Sequence, residues 1–280
     1  MNKELTHSTT RSNLIRLTLY GADLPADAPC ILYIHGFKGF KDWGFVPFAG
    51  EYFVEKGIRF LTFNFSHNGI GSDKESFTEL IKFKKNTFSL EVSEAREIID
   101  ETLKGTFFEV HGDLKLGVIG HSRGGGVALC AATDDKEKVQ GLCTWAAIST
   151  FDRYSAEQKE NWRQQGYLPV VNSRTGQVFQ LGIGLLDDLE ENLGGSLNIR
   201  QKVMDSKVPL CITHGGDDEA VSQNDARAIY EWAEWKPAEL HVIDGTGHTF
   251  DCKHPWQGTT PAFDQVLTHS HNFFKQQFST

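Results

Sequence analysis

The sequence predicts an α/β architecture: a mostly parallel central sheet with helices on both faces and an inserted cap. Three observations carry that expectation. Short apolar runs of strand length recur at 30–34, 58–65, 116–119, 139–148, 208–213 and 239–243. Stretches of helical period lie between most of them, and strands alternating with helices imply parallel pairing, since each crossover returns the chain to the same end of the sheet. The alternation then fails between 150 and 206, an excursion too long for a bare loop and carrying a hairpin pattern of its own. Residues 1–149 and 207–280 are therefore expected to form the core domain and 150–206 the cap.

Composition narrows the function. With 280 residues, 39% hydrophobic and 23% charged, the chain can bury a sizeable core. A net charge of −9 argues against nucleic acid or an anionic membrane as the main partner, because either favours a basic patch. Residues 1–20 contain no apolar h-region, and no segment approaches the roughly 20 apolar residues of a membrane span. The five cysteines (Cys30, Cys130, Cys143, Cys211, Cys252) are odd in number and lack pairwise spacing. Buried free thiols in a reducing cytoplasm are expected.

The elements follow in order. Residues 13–20 alternate, Leu14, Arg16 and Thr18 against Ile15, Leu17 and Leu19, as an early antiparallel strand does. A turn-rich loop at 21–29 leads to the buried strand 30–34, then to His35-Gly36-Phe37 and a loop through Trp43. A helix over 46–55 stops at Lys56-Gly57, and 58–65 is the next strand. Over 90–103, Leu90, Ala95, Ile98, Ile99 and Leu103 form a sheet-facing stripe; Glu91, Glu94, Glu97 and Glu101 are expected to face water. In the cap, 167–171 and 177–179 flank the turn Asn172-Ser173-Arg174-Thr175-Gly176 as a hairpin. The last two strands bracket a helix at 224–234, and a helix over 262–278 closes the chain.

The stretch from Leu116 to Gly126 organises the rest. Its apolar run ends in Gly120-His121-Ser122-Arg123-Gly124, a G-x-S-x-G pentapeptide, and enters the helix-compatible Val127-Ala128-Leu129-Cys130. Strand, sharp turn and helix are the context in which such a serine is lifted clear of a sheet, with helix N–H groups aimed at what it attacks. Side chains at 120 and 124 would collide with neighbouring backbone in so tight a turn. A serine hydroxyl is a weak nucleophile and needs a histidine base oriented by a carboxylate. The run 208–213 ends in His214-Gly215-Gly216-Asp217-Asp218-Glu219-Ala220-Val221, and 240–243 ends in Asp244-Gly245-Thr246-Gly247-His248. Serine, acid and histidine thus follow in order, each just past a buried strand.

These pieces resemble the α/β-hydrolase superfamily: His35-Gly36-Phe37, the pentapeptide around Ser122, the H-G-x-x-D-x-x-V pattern at His214, Gly215, Asp218 and Val221, and Gly247-His248. The resemblance runs from Cys30 to the end of the chain. It implies an α/β-hydrolase fold with Ser122 as nucleophile, Asp218 as acid and His248 as base. The backbone N–H groups of Phe37 and Arg123 are then the oxyanion hole, each donor worth about 3–4 kcal/mol. Within the superfamily, the cap and the loop from His35 to Gly44 look most similar to small bacterial cinnamoyl/feruloyl-type esterases and dienelactone-hydrolase-like proteins. The implied activity is hydrolysis of small-molecule carboxylic esters, aromatic or short-chain, through an acyl-enzyme and without a cofactor. A peptidase or thioesterase of the same fold, and a non-catalytic ligand-binding scaffold, are the alternatives.

Rivals for each role have plainer readings. Asp217 adjoins Asp218, but the spacing to Val221 favours Asp218. Asp152 follows the strand that ends at Ile148, and Asp244 shapes a turn. His121 reads as a packed neighbour and His35 as a structural ring bonded to loop backbone. His269-Ser270-His271 has no adjacent ligand set, so no metal is expected there. An insertion between parallel strands ending at Ile148 and beginning at Val208 should sit over Ser122. Trp162, Tyr167, Leu168 and Phe179 are its expected substrate contacts, with a small core of the cap's own as the competing reading. Phe37, Trp43 and Trp145 are further aromatic candidates for the pocket.

Overall fold

A computed structural model describes residues 1–133, 138–172 and 175–279. Two antiparallel strands open the chain, β1 (Asn2–Ser8) and β2 (Leu14–Tyr20). Then come β3 (Cys30–Ile34), α1 (Val46–Glu55), β4 (Arg59–Asn64), α2 (Leu80–Lys85), α3 (Phe88–Leu103), β5 (Leu116–His121), α4 (Arg123–Ala131) and β6 (Gly141–Trp145). The excursion holds α5 (Ala156–Gln165), β7 (Tyr167–Val171), β8 (Val178–Gly182), α6 (Ile183–Asn192) and α7 (Ile199–Asp205). The chain ends with β9 (Leu210–Gly215), α8 (Gln223–Trp232), β10 (Ala238–Ile243) and α9 (Pro261–Ser279).

Among the described residues, eight strands form one sheet in the order β1-β2-β4-β3-β5-β6-β9-β10. From β4 to β10 every pairing is parallel; β1 and β2 join antiparallel at one edge. The strands β3, β4, β5, β6 and β9 are buried along their whole lengths. Continuous apolar sequence is the consequence of helices on both faces. On one face Val92, Ala95 and Ile98 of α3, Val127 and Leu129 of α4 and Ile229 of α8 share a core with Leu32, Val118 and Leu142. On the other, Val46 and Phe53 of α1 and Phe263, Val266 and Phe274 of α9 pack with Ile31, Phe60 and Ile119.

The excursion is not a detached lid. Leu185, Leu186 and Leu189 of α6 and Ile199 and Val203 of α7 are buried in the same core as α3 and α4. Its hairpin pairs Tyr167 with Gly182 through Val171 with Val178, while the turn residues Ser173 and Arg174 lie outside the described residues.

Three features depart from the sequence reading. Strand β1 carries almost no apolar side chain, and the short helix α2 has a single buried residue, Phe83; neither is expected from periodicity. Along α3, Glu91 and Glu94 are buried instead of facing water. Each has an internal partner: Glu94 accepts from the Ser66 N–H at 3.0 Å and bonds its hydroxyl, and Glu91 accepts from Asn86 Nδ2 at 2.6 Å. Amphipathic patterning assigns charges to water unless such partners exist, and here they lie outside α3, Asn86 just before it and Ser66 28 residues away. At the sheet edge, the ammonium of Lys41 is fully buried. It donates to Thr18 Oγ1 of β2 at 2.7 Å, Asp42 Oδ2 at 2.6 Å and Glu4 Oε1 of β1 at 3.2 Å.

Candidate active site

Ser122 sits between β5 and α4 with φ 57° and ψ −124°. A non-glycine residue with positive φ costs roughly 1–3 kcal/mol and persists only where packing over-determines it. Here both neighbours enforce it. A Cβ on Gly124 would lie 2.3 Å from the Ile34 carbonyl oxygen, and one on Gly36 would lie 2.8 Å from the Ser122 Cβ. Glycine at these places lets the loop after β3 press directly against the serine turn.

A hydrogen-bonded relay runs from that turn. His248 Nε2 lies 2.9 Å from Ser122 Oγ, and its Nδ1 lies 2.8 Å from Asp218 Oδ2. The ring is further placed by its own backbone, whose carbonyl meets His121 Nε2 at 3.0 Å. Asp218 is held by more than His248. Its Oδ1 accepts the N–H groups of Ala220 and Val221, both at 2.9 Å, and Oδ2 lies 3.3 Å from Nε2 of the fully buried His214. Burial alone would raise this carboxyl, but the bonds to His214, His248 and Val221 outweigh it and hold Asp218 well below the usual carboxylate range. The acid therefore stays ionised throughout the neutral range, as a partner that orients an imidazole must. Burial pushes His121 down to about 3 and His35 down to about 4, so both rings stay neutral beside it.

The backbone around the serine presents two amides. Among the described residues neither the Phe37 N–H nor the Arg123 N–H has a hydrogen-bond partner, and Arg123 opens helix α4. The side chains of these two residues lock together: the Arg123 guanidinium lies 4.0 Å above the Phe37 ring centroid and 4.9 Å from that of Phe88. Behind it, Arg123 Nη1 is 3.6 Å from the buried Glu91 Oε1. His35 fixes the other side of the loop, its Nδ1 donating to the Gly36 carbonyl at 2.9 Å.

Two cavities meet at Ser122. One of about 220 Å³ is lined by Tyr33, Phe37, Phe40 and Trp43. The other, about 720 Å³, lies under the excursion, with Phe151, Tyr154, Leu168, Val170 and Arg153 on its walls. Of the four expected substrate contacts, Leu168 lines this cavity. The other three do not. Trp162 is fully buried and packs edge-on against Tyr154 at 5.1 Å, while Phe179 fills the space between Phe77 and Phe83. Tyr167 is half-buried, with Lys84 Nζ 5.0 Å from its ring centroid. Large aromatics of the excursion are consumed by packing, Trp162 against Tyr154 within it and Phe179 against Phe77 and Phe83 outside it, and walls of the cavity fall to smaller neighbours that sequence does not distinguish. Trp43 does line a cavity; Trp145 is core, its Nε1 donating to Ser270 Oγ at 2.9 Å. Among the rival acids, Asp217 and Asp244 are exposed and Asp152 pairs with Lys159 at 2.7 Å.

Neither a family model nor a curated protein matches the chain. Solved structures do match it over nearly its full length. Est1E from Butyrivibrio proteoclasticus is 16% identical, with 99% of both chains covered and a TM-score of 0.69. The alpha/beta hydrolase GrgF from Penicillium sp. sh18 is 17% identical over 100% of both chains, TM-score 0.72. Alpha/beta hydrolase domain-containing protein 10 from mouse is 16% identical over 98% of this chain and 99% of that one, TM-score 0.74. With the strand order, the helices on both faces and a serine at the turn after β5, these likenesses show that the chain has the α/β-hydrolase fold.

Proposed function

We propose that the protein is a serine hydrolase that cleaves small-molecule carboxylic esters through an acyl-enzyme, with Ser122 as nucleophile, His248 as base and Asp218 as the orienting acid. The observation that carries this reading is the continuous relay from Ser122 Oγ to Asp218, at 2.9 and 2.8 Å, beside two amides that have no partner among the described residues. His248 Nε2 takes the hydroxyl proton as Ser122 Oγ attacks the ester carbonyl carbon. The electron pair moves onto the carbonyl oxygen, where the Phe37 and Arg123 N–H groups receive it. His248 then gives its proton to the departing alkoxide, leaving acyl-Ser122. Water, deprotonated by His248, attacks the acyl carbon; the carboxylic acid leaves and Ser122 regains its proton.

The aromatic walls Tyr33, Phe37, Phe40 and Trp43 favour a planar or short acyl group, and the larger cavity under the excursion gives the alcohol portion room. One solved neighbour carries ferulic acid, an aromatic acid of that shape, bound to Est1E, and another is described as an esterase domain. On this reading segment 150–206 is a cap over the site, built into the core at its base. Five buried free thiols suit a reducing, cytoplasmic setting.

A fluorophosphonate probe followed by digestion tests the assignment: the adduct is expected on Ser122, and Ser122→Ala is expected to abolish turnover of p-nitrophenyl esters. Label on another residue, or none, overturns it. Parallel assays with a thioester and a peptide amide of the same acyl group establish which bond is cleaved fastest, and the ester is expected to lead.

A further inference from the structure

The far side of the sheet carries a second cluster of reactive side chains, unconnected to the serine relay. Cys211 is the second residue of β9, and the sheet register sets it beside Glu239 of β10 and Cys143 of β6. Side chains two apart on a strand share a face, so His241 points the same way as Glu239. His241 Nε2 lies 3.1 Å from Glu239 Oε2. The Cys211 sulfur, a Glu239 carboxylate oxygen and a His241 ring nitrogen all lie within 4.8 Å of one another. From α9, the His269 ring stacks on His241 at 3.8 Å and fixes its plane. Because β10 is the sheet edge, the cluster opens to water. Cys211 is buried, while the side chains of His241 and Glu239 are 27% and 47% exposed.

We propose that Cys211, Glu239 and His241 form a binding site for a divalent cation of the zinc class. Thiolate, imidazole and carboxylate together suit a borderline-soft ion and disfavour magnesium or calcium, which take oxygen ligands. Tetrahedral ligation at about 2.0–2.3 Å sets neighbouring ligand atoms about 3.4–3.6 Å apart, so side-chain rotations alone bring these three into place. A thiolate and a carboxylate balance the charge of a dication, and water fills the fourth position. The groups already share protons. The Cys143 thiol and the His241 ring both hydrogen-bond the Cys211 sulfur. A cation displaces those protons into solvent.

Cys211 lies four residues before the carboxyl end of β9, roughly 13 Å along the strand, so the site stands apart from Ser122. Bound there, an ion clamps the edge strand β10 to β9, and with it the loop that carries His248.

Titration of the untagged protein with Co²⁺, followed by absorbance, tests the proposal. One ion per chain is expected, with a thiolate-to-cobalt charge-transfer band. Cys211→Ser abolishes the band, and His241→Gln and the exposed Glu239→Gln each weaken binding by at least about tenfold, since even outer partners of such ligands contribute about 10–100-fold. Circular dichroism establishes that each variant is folded, and Cys252→Ala, at a thiol elsewhere, keeps the band. Zn²⁺ raises the Tm of the wild type and leaves that of His241→Gln unchanged. Absence of a thiolate band in the folded wild type, or a band that survives in both Cys211→Ser and His241→Gln, overturns it.

Discussion

Glu91→Gln separates the stability of the buried ion pair from its use. At 3.6 Å and an effective dielectric of about 20, the attraction between Glu91 and Arg123 is about 4.6 kcal/mol. Against it stands the removal of two charges from water, several kcal/mol for each ion. The balance is visible in Glu91 itself: burial raises its carboxyl above the usual range despite Arg123 and Asn86. Desolvation therefore wins on the carboxylate. A raised folded value means that the stabilising contribution of the group is complete below the unfolded pKa and is lost as pH rises through the folded one. Glu91→Gln, neutral at every pH, is expected to unfold at a urea midpoint no lower than that of the wild type at pH 7. Its activity should fall nonetheless. The pair holds Arg123 over Phe37, and those two residues supply the proposed oxyanion amides. Loss of a whole donor costs about 10²–10³ in kcat, so a loosened pair should cost about tenfold, with KM little changed. The assays are urea denaturation followed by fluorescence and steady-state hydrolysis of p-nitrophenyl acetate. An unfolding free energy lowered by more than about 2 kcal/mol would mean that the pair is net stabilising. An unchanged kcat would mean that Arg123 keeps its place without the carboxylate; either result refutes the reasoning.

Three further outcomes are expected. Asp218→Asn should lower kcat by about 10⁴-fold. Because the Asp218 carboxyl is depressed, its contribution to stability is present above the unfolded value near pH 4 and is lost as pH falls through the folded one; acid titration of Asp218→Asn should lack that loss. Val170→Trp fills the larger cavity and should cut kcat/KM for esters of bulky alcohols by roughly 10–200-fold while sparing methyl esters, and equal losses for both would detach the cavity from specificity. Burial lowers Lys236 to about 8, with its Nζ donating to the Val203 and Ser206 carbonyls. The unfolded chain then holds the extra proton between about pH 8 and pH 10.4, so wild-type stability should rise over that window and Lys236→Met should show no such rise.

The sheet was legible because its strands are buried on both faces and therefore apolar without interruption, as in 30–34 and 116–119. The candidate site was legible for a related reason. Polar residues that interrupt such runs at their carboxyl ends (Ser122, Asp218, His248) stand out, and the fold gathers those ends on one edge. What escaped was set by partners remote in sequence. Nothing near Glu91 announces Arg123, and nothing in the polar run Asn2–Ser8 announces an edge strand that needs little apolar surface because only one side is paired. Trp162 and Phe179 misled because size argues equally for a pocket wall and for a core, and packing alone decides.

The buried ammonium of Lys41 ties strand β1 to the loop that presents one of the two proposed oxyanion amides. Its partner Glu4 belongs to β1, and Lys41 itself stands four residues beyond Phe37, in the loop that presents one of the two amides. Proteolytic trimming before Asn13, or a fusion partner that peels β1 from β2, removes one of the two carboxylates that neutralise Lys41 and opens the charge to solvent. The loop above it is then expected to lose its footing, and turnover of a test ester is expected to fall although every residue of the proposed relay is intact. Strand β1 is thus a handle on the proposed oxyanion loop from a distant part of the sequence.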